Sequence, residues 1–208
     1  MDLTDLKSNL DSDLDRAALI PKVLLDNLGV LNDTSRTTSA YSDPSHYPFY
    51  YHLAKYIEPE NVLVVGLDLG FAPCCFVKNR PRYPAEGAVM KLMGLQRKAS
   101  HYSPRLAFQN LRKSGYRRDF HFYEGRLSSD LAEQISFAKW DLVLFETIMG
   151  YDDCRFCLDC VWDHMNLDGL LVMQNYGRLR LPFLDFCKIK NKEPVRVETR
   201  YLAGIVKK

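Results

Sequence analysis

Short apolar runs alternate with helix-forming segments over most of this chain of 208 residues. The run Asn61–Val65 (NVLVV) is β-branched and stops at Gly66, which is typical of a buried parallel strand. Strands that alternate with helices in this way form an open α/β sheet with helices on both faces. Further strands are predicted at 88–95, 120–123, 141–145 and 169–173, and helices at 49–57, 72–79, 103–113, 152–165 and 181–190.

The two ends of the chain depart from this alternation. Residues 195–200 (VRVETR) and 202–208 (LAGIVKK) are extended runs with no helical segment between them, so we expect an antiparallel pair there. Residues 14–31 have helical apolar spacing, and a polar stretch rich in Ser, Thr, Asp and Pro follows them. We therefore divide the chain into an N-terminal helix with a lid-like loop, 1–48, and an α/β domain, 49–208.

The composition excludes a disordered chain and a membrane-spanning protein. Hydrophobic residues make up 47% and charged residues 26%, which supplies enough apolar side chains for an ordinary core. The longest nearly apolar stretch, 62–69, is much shorter than the ~20 residues that a spanning helix needs. The first residues, MDLTDLKSNLDSDLD, lack the apolar stretch of a signal peptide. We expect a soluble cytoplasmic protein with no membrane partner.

The net charge of +2 conceals an uneven distribution. Residues 78–126 carry twelve Lys and Arg against Glu86, Asp119 and Glu124. A basic stretch of this kind attracts phosphates and nucleic acid, and a solvated face of surface helices has the same composition. Nucleic acid is therefore one partner that the sequence allows, through residues 78–126.

Three of the six cysteines have a regular spacing. Cys154, Cys157 and Cys160 are followed by His164, a pattern that is able to hold zinc or an iron–sulfur cluster. The same residues lie within a predicted helix, on which positions three apart spread over more than one face. Free cysteine is also a common small buried residue. We predict structural cysteines on one helix, with a metal site as the alternative.

Ligands of open α/β sheets bind outside the carboxyl ends of the strands. The first of these ends carries the sequence Gly66-Leu67-Asp68-Leu69-Gly70. Glycines there allow a tight turn and a close approach of the backbone to a ligand, although close packing of a helix on the strand would require them equally. The loops to search are therefore those that follow residues 65, 95, 123, 145 and 173.

Four longer stretches carry a family resemblance. They are HLAKYIEPENVLVVGLDLG (52–70), HFYEGR (121–126), KWDLVLFETIMGYDDCRFCLDCVWDHMNLDGLLVMQNYG (139–177) and RYLAGIVKK (200–208). Together they resemble the class I S-adenosylmethionine-dependent methyltransferases, above all the small macrocin-type O-methyltransferases. The resemblance implies a Rossmann-like doubly wound, mostly parallel seven-stranded sheet with an antiparallel terminal strand pair.

The resemblance also implies an S-adenosylmethionine site along the strand ends. The chain departs from the family's pattern at Val64, which replaces an acidic residue, and at Asp68, which replaces the middle glycine of the loop. By spacing, Gln96 stands where an acidic residue binds the ribose hydroxyls, or His101 if the second strand is shifted. The implied cofactor-binding residues are Gly66, Leu67, Asp68, Gly70, Phe71, Gln96, Gly125, Arg126 and Glu146.

Metal-dependent members of the family hold magnesium with an acidic residue after the fourth strand and an acidic pair or Asp-Asn after the fifth. The matching residues are Glu146, Gln174 and Asn175, which would either bind Mg²⁺ or hydrogen-bond in the rim of the pocket. The catalytic candidates are Glu146 and His46, which lies in the loop SDPSHYP and could deprotonate a hydroxyl. An exposed loop histidine without a catalytic role explains His46 as well.

Three functional hypotheses follow from the sequence. The first is methyl transfer from S-adenosylmethionine to a hydroxyl of a small-molecule acceptor, because the resemblance implies that cofactor and that chemistry. The second is a methyltransferase-fold protein that has lost catalysis and serves as a binding or assembly module, since a fold does not establish an activity. The third is a nucleic-acid-binding or nucleic-acid-modifying protein, which depends on the basic residues 78–126.

Overall fold

A computed structural model provides the structure of this protein. The residues that it describes are 49–51, 53, 57–67, 70–79, 91–97, 104–116, 120–125, 130–146, 149–174, 176–196 and 203–208. The helix and the lid-like loop predicted at 1–48 lie outside the described residues, so that division of the chain stays a prediction. None of the described helices is long and apolar enough to cross a membrane.

The described strands form one seven-stranded sheet with the order β3-β2-β1-β4-β5-β7-β6. The four pairs among β1 to β5 are parallel, whereas β5–β7 and β6–β7 are antiparallel. This arrangement confirms the mostly parallel sheet and its antiparallel terminal pair. The strands are β1 (Asn61–Val65), β2 (Lys91–Arg97), β3 (Phe120–Gly125), β4 (Trp140–Phe145), β5 (Met165–Met173), β6 (Val195–Arg196) and β7 (Ala203–Val206).

Helices connect the parallel strands, as the alternation of the sequence predicts. Residues 49–51, 53 and 57 are also helical, in agreement with the helix expected there. Five helices have both their first and their last residue among the described residues: α1 (Phe71–Asn79), α2 (Pro104–Lys113), α3 (Asp130–Ile135), α4 (Tyr151–Asp163) and α5 (Tyr176–Ile189).

Local sequence signals determine where helix α2 begins and ends. Pro104 is its first residue, a position where a missing N–H costs no helical hydrogen bond. Beyond its last turn Gly115 has φ +101°, and the N–H of Tyr116 donates to the oxygen of Leu111 at 3.0 Å. A left-handed glycine with this 6→1 hydrogen bond ends helices because it satisfies their last carbonyl groups.

Several bounds differ from those expected. Strand β2 covers 91–97 rather than 88–95, and β5 begins at residue 165 rather than 169. Helix α5 begins at Tyr176 and contains Pro182, although proline removes one helical hydrogen bond and favours a later start. The six-residue helix α3 was not predicted, because fewer than two turns give no readable apolar period.

The core lies in two layers, one on each face of the sheet. Val62 and Val64 of β1 face the layer under α1 and α2, which contains Phe76 and Leu111. The alternate residues of the same strand, Leu63 and Val65, face the layer under α3, α4 and α5. Burial on both faces explains why β1 is apolar along its whole length instead of alternating with polar residues.

One side chain holds three segments together at the amino end of the sheet. Asp141, in β4, accepts hydrogen bonds through Oδ2 from the backbone N–H groups of Glu60 and Asn61, at 3.0 and 2.8 Å. Its Oδ1 accepts from Nδ2 of Asn166, in β5, at 2.6 Å. Asp141 therefore links β1, β4 and β5 before any of the three reaches the ligand edge.

The Asp141→Ala variant is expected to lower the free energy of unfolding by about 2–3 kcal/mol, because it leaves partly buried donors without their acceptor. Urea unfolding of the variant and the parent protein measures the difference. Asp159→Ala is the matched control, since Asp159 forms ion pairs with Arg155 at 3.1 Å and Lys190 at 3.2 Å and its side chain is 41% exposed. This control should lose under ~1 kcal/mol. Equal losses in the two variants would contradict the linking role of Asp141.

Candidate functional site

The carboxyl ends of the central strands are level with one another. Val65 of β1 pairs with Leu95 of β2 on one side and with Phe145 of β4 on the other. Phe145 in turn pairs with Met173 of β5. The next residue of each strand therefore lies in one row along the sheet edge, and we call this row the ligand edge. From β2 to β5 its members are Gln96, Gly66, Glu146 and Gln174.

Backbone hydrogen bonds fix this row to the sheet. The oxygen of Leu95 accepts from the N–H of Gly66 at 2.8 Å, and the oxygen of Val65 accepts from the N–H of Glu146 at 2.8 Å. The N–H of Gln174 donates to the oxygen of Phe145, also at 2.8 Å. Gly66, Glu146 and Gln174 thus begin their loops while they are still bonded to the neighbouring strand.

The glycine loop (66–70) starts and ends with left-handed backbone. Gly66 has φ +92° and Gly70 has φ +72°, values that residues with a side chain rarely adopt. The N–H of Gly70 donates to the oxygen of Leu67 at 2.7 Å, which closes a turn. A Cβ atom on Gly70 would lie 3.2 Å from Cβ of Ala107, so this glycine also allows close packing of α2. Both readings of the glycines, turn formation and helix packing, are therefore correct for Gly70.

Glu146 is a buried carboxyl group at the centre of the ligand edge. It is 8% exposed, and its neighbour in the row, Gln174, is 3% exposed. The Cys75 thiol of α1 lies close enough to Glu146 for the charge of this carboxylate to act on it. Burial first, then the charges of Cys74 and Glu146, raise the pKa of Cys75 well above its usual value. Cys75 is consequently a neutral thiol beside the candidate site.

The end of β3 differs from the sequence expectation in one detail. Gly125 belongs to β3 rather than to the loop that follows, and it pairs with Arg97 of β2. A Cβ atom on Gly125 would overlap the hydroxyl group of Tyr123, whose side chain folds back over the end of the strand. A side chain at 125 would therefore require the Tyr123 ring to move. Gln96 likewise lies within β2, one residue before its end.

Six of the predicted site residues have no described side chain, and two of them, Phe71 and Gln96, have a described backbone. Phe71 is the first residue of α1, so its backbone is placed next to Gly70. The other four lie outside the described residues, and their roles stay predictions: His46, Asp68, Arg126 and Asn175. The described members that the fold brings to the ligand edge are Gly66, Leu67, Gly70, Gln96, Gly125, Glu146 and Gln174.

The role of Gly94, in the middle of β2, was not predicted from the sequence. A Cβ atom at this position would lie 2.7 Å from Cδ2 of Leu67 and 2.8 Å from Cζ of Phe120. Leu67 of the glycine loop therefore packs into space that a side chain at 94 would fill. A lone glycine inside an apolar run (MGL) is a signal of such a close approach.

Several solved structures with this fold are methyltransferases, although no family model and no curated protein matches the chain. An O-methyltransferase from Bacillus cereus in complex with S-adenosylhomocysteine (SAH) is 14% identical, with a TM-score of 0.65 over 95% of this chain and 97% of that one. An SAH-bound methyltransferase from Podospora anserina is 12% identical, with a TM-score of 0.68 over 98% and 96%. This chain has the class I methyltransferase fold.

A third methyltransferase structure is similar to this chain in fold, again at low sequence identity. It is the O-methyltransferase of tomaymycin synthesis from Streptomyces achromogenes, solved with S-adenosylmethionine. It is 12% identical, and the match covers 95% of this chain and 96% of that one with a TM-score of 0.65. In each of these three comparisons the match covers nearly the whole length of both chains.

The regularly spaced cysteines lie on one helix, as predicted. Cys154 and Cys157 are buried in the core under α4, and Cys160 is partly buried. Among the residues that the structure describes, no three His, Cys, Asp or Glu side chains are grouped so that they could hold a metal ion. Burial is the largest cause that raises the pKa of each of these thiols.

The basic stretch 78–126 is described only in part. On α2, Arg105 and Lys113 are exposed, whereas the guanidinium of Arg112 lies over the Phe108 ring, 4.8 Å from its centre. Exposed basic residues on one surface helix match the expectation of a solvated face. A nucleic-acid partner for this stretch stays a prediction.

The buried thiols predict how stability changes at alkaline pH. Burial raises the pKa of Cys154 from 9.0 to about 12, so between these values the unfolded chain ionises this thiol and the folded protein does not. Stability is therefore lost as the pH rises above 9, by about 1.4 kcal/mol per pH unit for such a thiol. Cys154→Ala should show a correspondingly shallower decline in urea unfolding between pH 9 and 10.5.

Cys160→Ala is the control for this prediction. Cys160 is partly exposed, so its removal should change the slope of stability against pH by less than the removal of Cys154. Identical slopes in the parent protein and in Cys154→Ala would mean that this thiol ionises in the folded protein.

Proposed function

We propose that this protein transfers the methyl group of S-adenosylmethionine to a hydroxyl group of a small molecule. The observation that carries the proposal is the ligand edge. Within a methyltransferase fold, Gly66, Glu146 and Gln174 are bonded to adjacent strands and lie in one row. Ligands of open α/β sheets bind at this edge, and three solved structures of the same fold contain SAH or S-adenosylmethionine.

The glycine loop suits the methionine part of this cofactor. Gly66 and Gly70 carry no side chain and have left-handed backbone, so the loop can approach a ligand closely. S-adenosylmethionine would supply an electrophilic methyl group on a sulfonium centre. The task of the protein is then to align the acceptor hydroxyl with that methyl group and to exclude water.

The remaining site residues have proposed roles along the same edge. Gln96 would bind the ribose hydroxyls, and Gly125 with Arg126 would border the adenine base. Glu146, a buried carboxylate at the centre of the row, would hold the ammonium group of the cofactor or accept the proton of the acceptor. His46 is the second candidate for that proton, on the strength of the sequence alone.

A magnesium ion does not fit the proposed ligand set. Glu146 offers one carboxylate, while Gln174 and Asn175 offer neutral amide oxygens. Mg²⁺ demands near-octahedral oxygen geometry and is bound mainly through carboxylates, substrate phosphates and waters, so one carboxylate with two neutral amides offers too little negative charge to hold it. We therefore derive no catalytic step through a metal, and assign Gln174 to hydrogen bonding in the buried rim of the site.

The proposal is tested by ligand binding. S-adenosylmethionine or SAH at about 100 times its dissociation constant should stabilise the folded protein by about 2.7 kcal/mol, which raises the melting temperature measurably. Isothermal calorimetry with the same two ligands gives the affinity directly. Absence of binding by both methods would overturn the proposed function.

Gln96→Glu should bind S-adenosylmethionine about tenfold more tightly, because a carboxylate accepts the ribose hydroxyl hydrogen bonds with charge assistance. Calorimetry measures the change. Gln134→Glu is the matched control, since it adds the same charge to the exposed surface of α3, away from the ligand edge. An improvement in both variants, or in neither, would contradict the placement of the ribose at Gln96.

A second function from another class is favoured by one residue, Asp68. Its carboxylate stands in the loop that would receive the carboxylate of the cofactor, and like charges repel at short distance. In that case the fold would serve as a binding or assembly module without methyl transfer.

The Asp68→Gly variant decides between the two functions. Weaker binding of S-adenosylmethionine in the variant means that Asp68 contacts the cofactor, which supports methyl transfer. Binding that is found only in the variant means that the natural protein has closed its site. Calorimetry measures both outcomes, and Asp152→Gly, an exposed change on α4, controls for the loss of one negative charge.

A further inference from the structure

Gly94 and Leu67 are complementary across two strands. Leu67 leaves β1 immediately after Gly66, and its side chain reaches over β2 to the position where Gly94 has no side chain. The two methyl carbons of Leu67 lie 2.7 and 3.2 Å from where a Cβ atom of residue 94 would stand. Both distances are shorter than ordinary van der Waals contact, so the side chain of Leu67 occupies the space that glycine leaves.

Leu67 has little freedom to move away. It is 1% exposed and belongs to the core layer under α1 and α2. Well-packed interiors contain few spaces into which an isobutyl group could turn. Phe120, the other neighbour of Gly94, is half-buried on the edge strand β3 and can rotate outward more easily.

The backbone of Leu67 is part of the glycine loop. Its N–H donates to the oxygen of Leu95 at 3.2 Å, and its oxygen accepts from the N–H of Gly70 at 2.7 Å. A displacement of the Leu67 side chain would therefore disturb the turn that ends at Gly70. The loop geometry depends in this way on a residue of another strand.

We propose that Gly94 is a positioning residue for the glycine loop. The space left by its missing side chain is a socket for Leu67, and this socket holds Gly66, Leu67 and Gly70 in the conformation that a nucleoside cofactor would meet. The effect of Gly94 on cofactor binding rests on the proposed function. Its effect on the conformation of the glycine loop does not, and the two effects are tested separately.

Amide hydrogen exchange tests the loop. In Gly94→Ala the amides of Leu67 and Gly70 should exchange about tenfold faster, because their hydrogen bonds open when Leu67 is displaced. The amide of Val143, in the centre of β4, should be unchanged. The double variant Gly94→Ala/Leu67→Val adds one methyl group and removes one carbon, so it should restore exchange to within about threefold of the parent protein.

Two controls separate the socket from general packing. Gly204→Ala also places a methyl group in the sheet, but its Cβ would meet nothing closer than 3.3 Å, so the loop amides should not respond. Gly94→Ala/Phe120→Leu removes the other neighbour of the new methyl group. Restoration by Phe120→Leu and not by Leu67→Val would overturn the proposal, as would unchanged loop amides in Gly94→Ala.

If Gly94→Ala does not fold, restored folding is the readout instead. The double variant Gly94→Ala/Leu67→Val should then fold, and a double variant that also fails to fold would overturn the proposal that Leu67 fits the space at Gly94. Calorimetry with SAH completes the test: affinity should fall about tenfold in Gly94→Ala and recover in the double variant. No SAH binding by the parent protein, with the exchange pattern as expected, would refute the proposed function and leave the socket established.

Discussion

The site depends on the hydrogen bonds that join the last residues of the central strands. Each of the carbonyl groups of Leu95, Val65 and Phe145 accepts from the first residue of a neighbouring loop. These bonds continue the parallel ladders one step beyond the strands, so the loops leave the sheet from a common level. Because parallel strands are buried on both faces, the level cannot shift without moving apolar side chains out of the core.

The same constraint positions the candidate residues. Glu146 and Gln174 are bonded to neighbouring strands through their backbone N–H groups, and their side chains are buried. The register of the strands therefore places both side chains at the same edge of the sheet.

The sequence predicted β1 with its observed bounds because a β-branched run ends there in a glycine with positive φ. It also predicted that Glu146 and Gln174 lie near Gly66, since each directly follows a predicted parallel strand. It could not predict the proximity of Cys75 to Glu146, or of Leu67 to Gly94. These contacts depend on the register and on helix packing across the sheet, which local patterns do not contain.

The order of the strands determines when a newly made chain can close its sheet. β1 lies between β2 and β4, and the Asn61–Asp141 contact joins residues 80 positions apart. Ribosomes need on the order of ten seconds to synthesise a segment of that length. During this interval one edge of the apolar strand NVLVV stays unpaired, so nascent β1 is open to pairing with other chains.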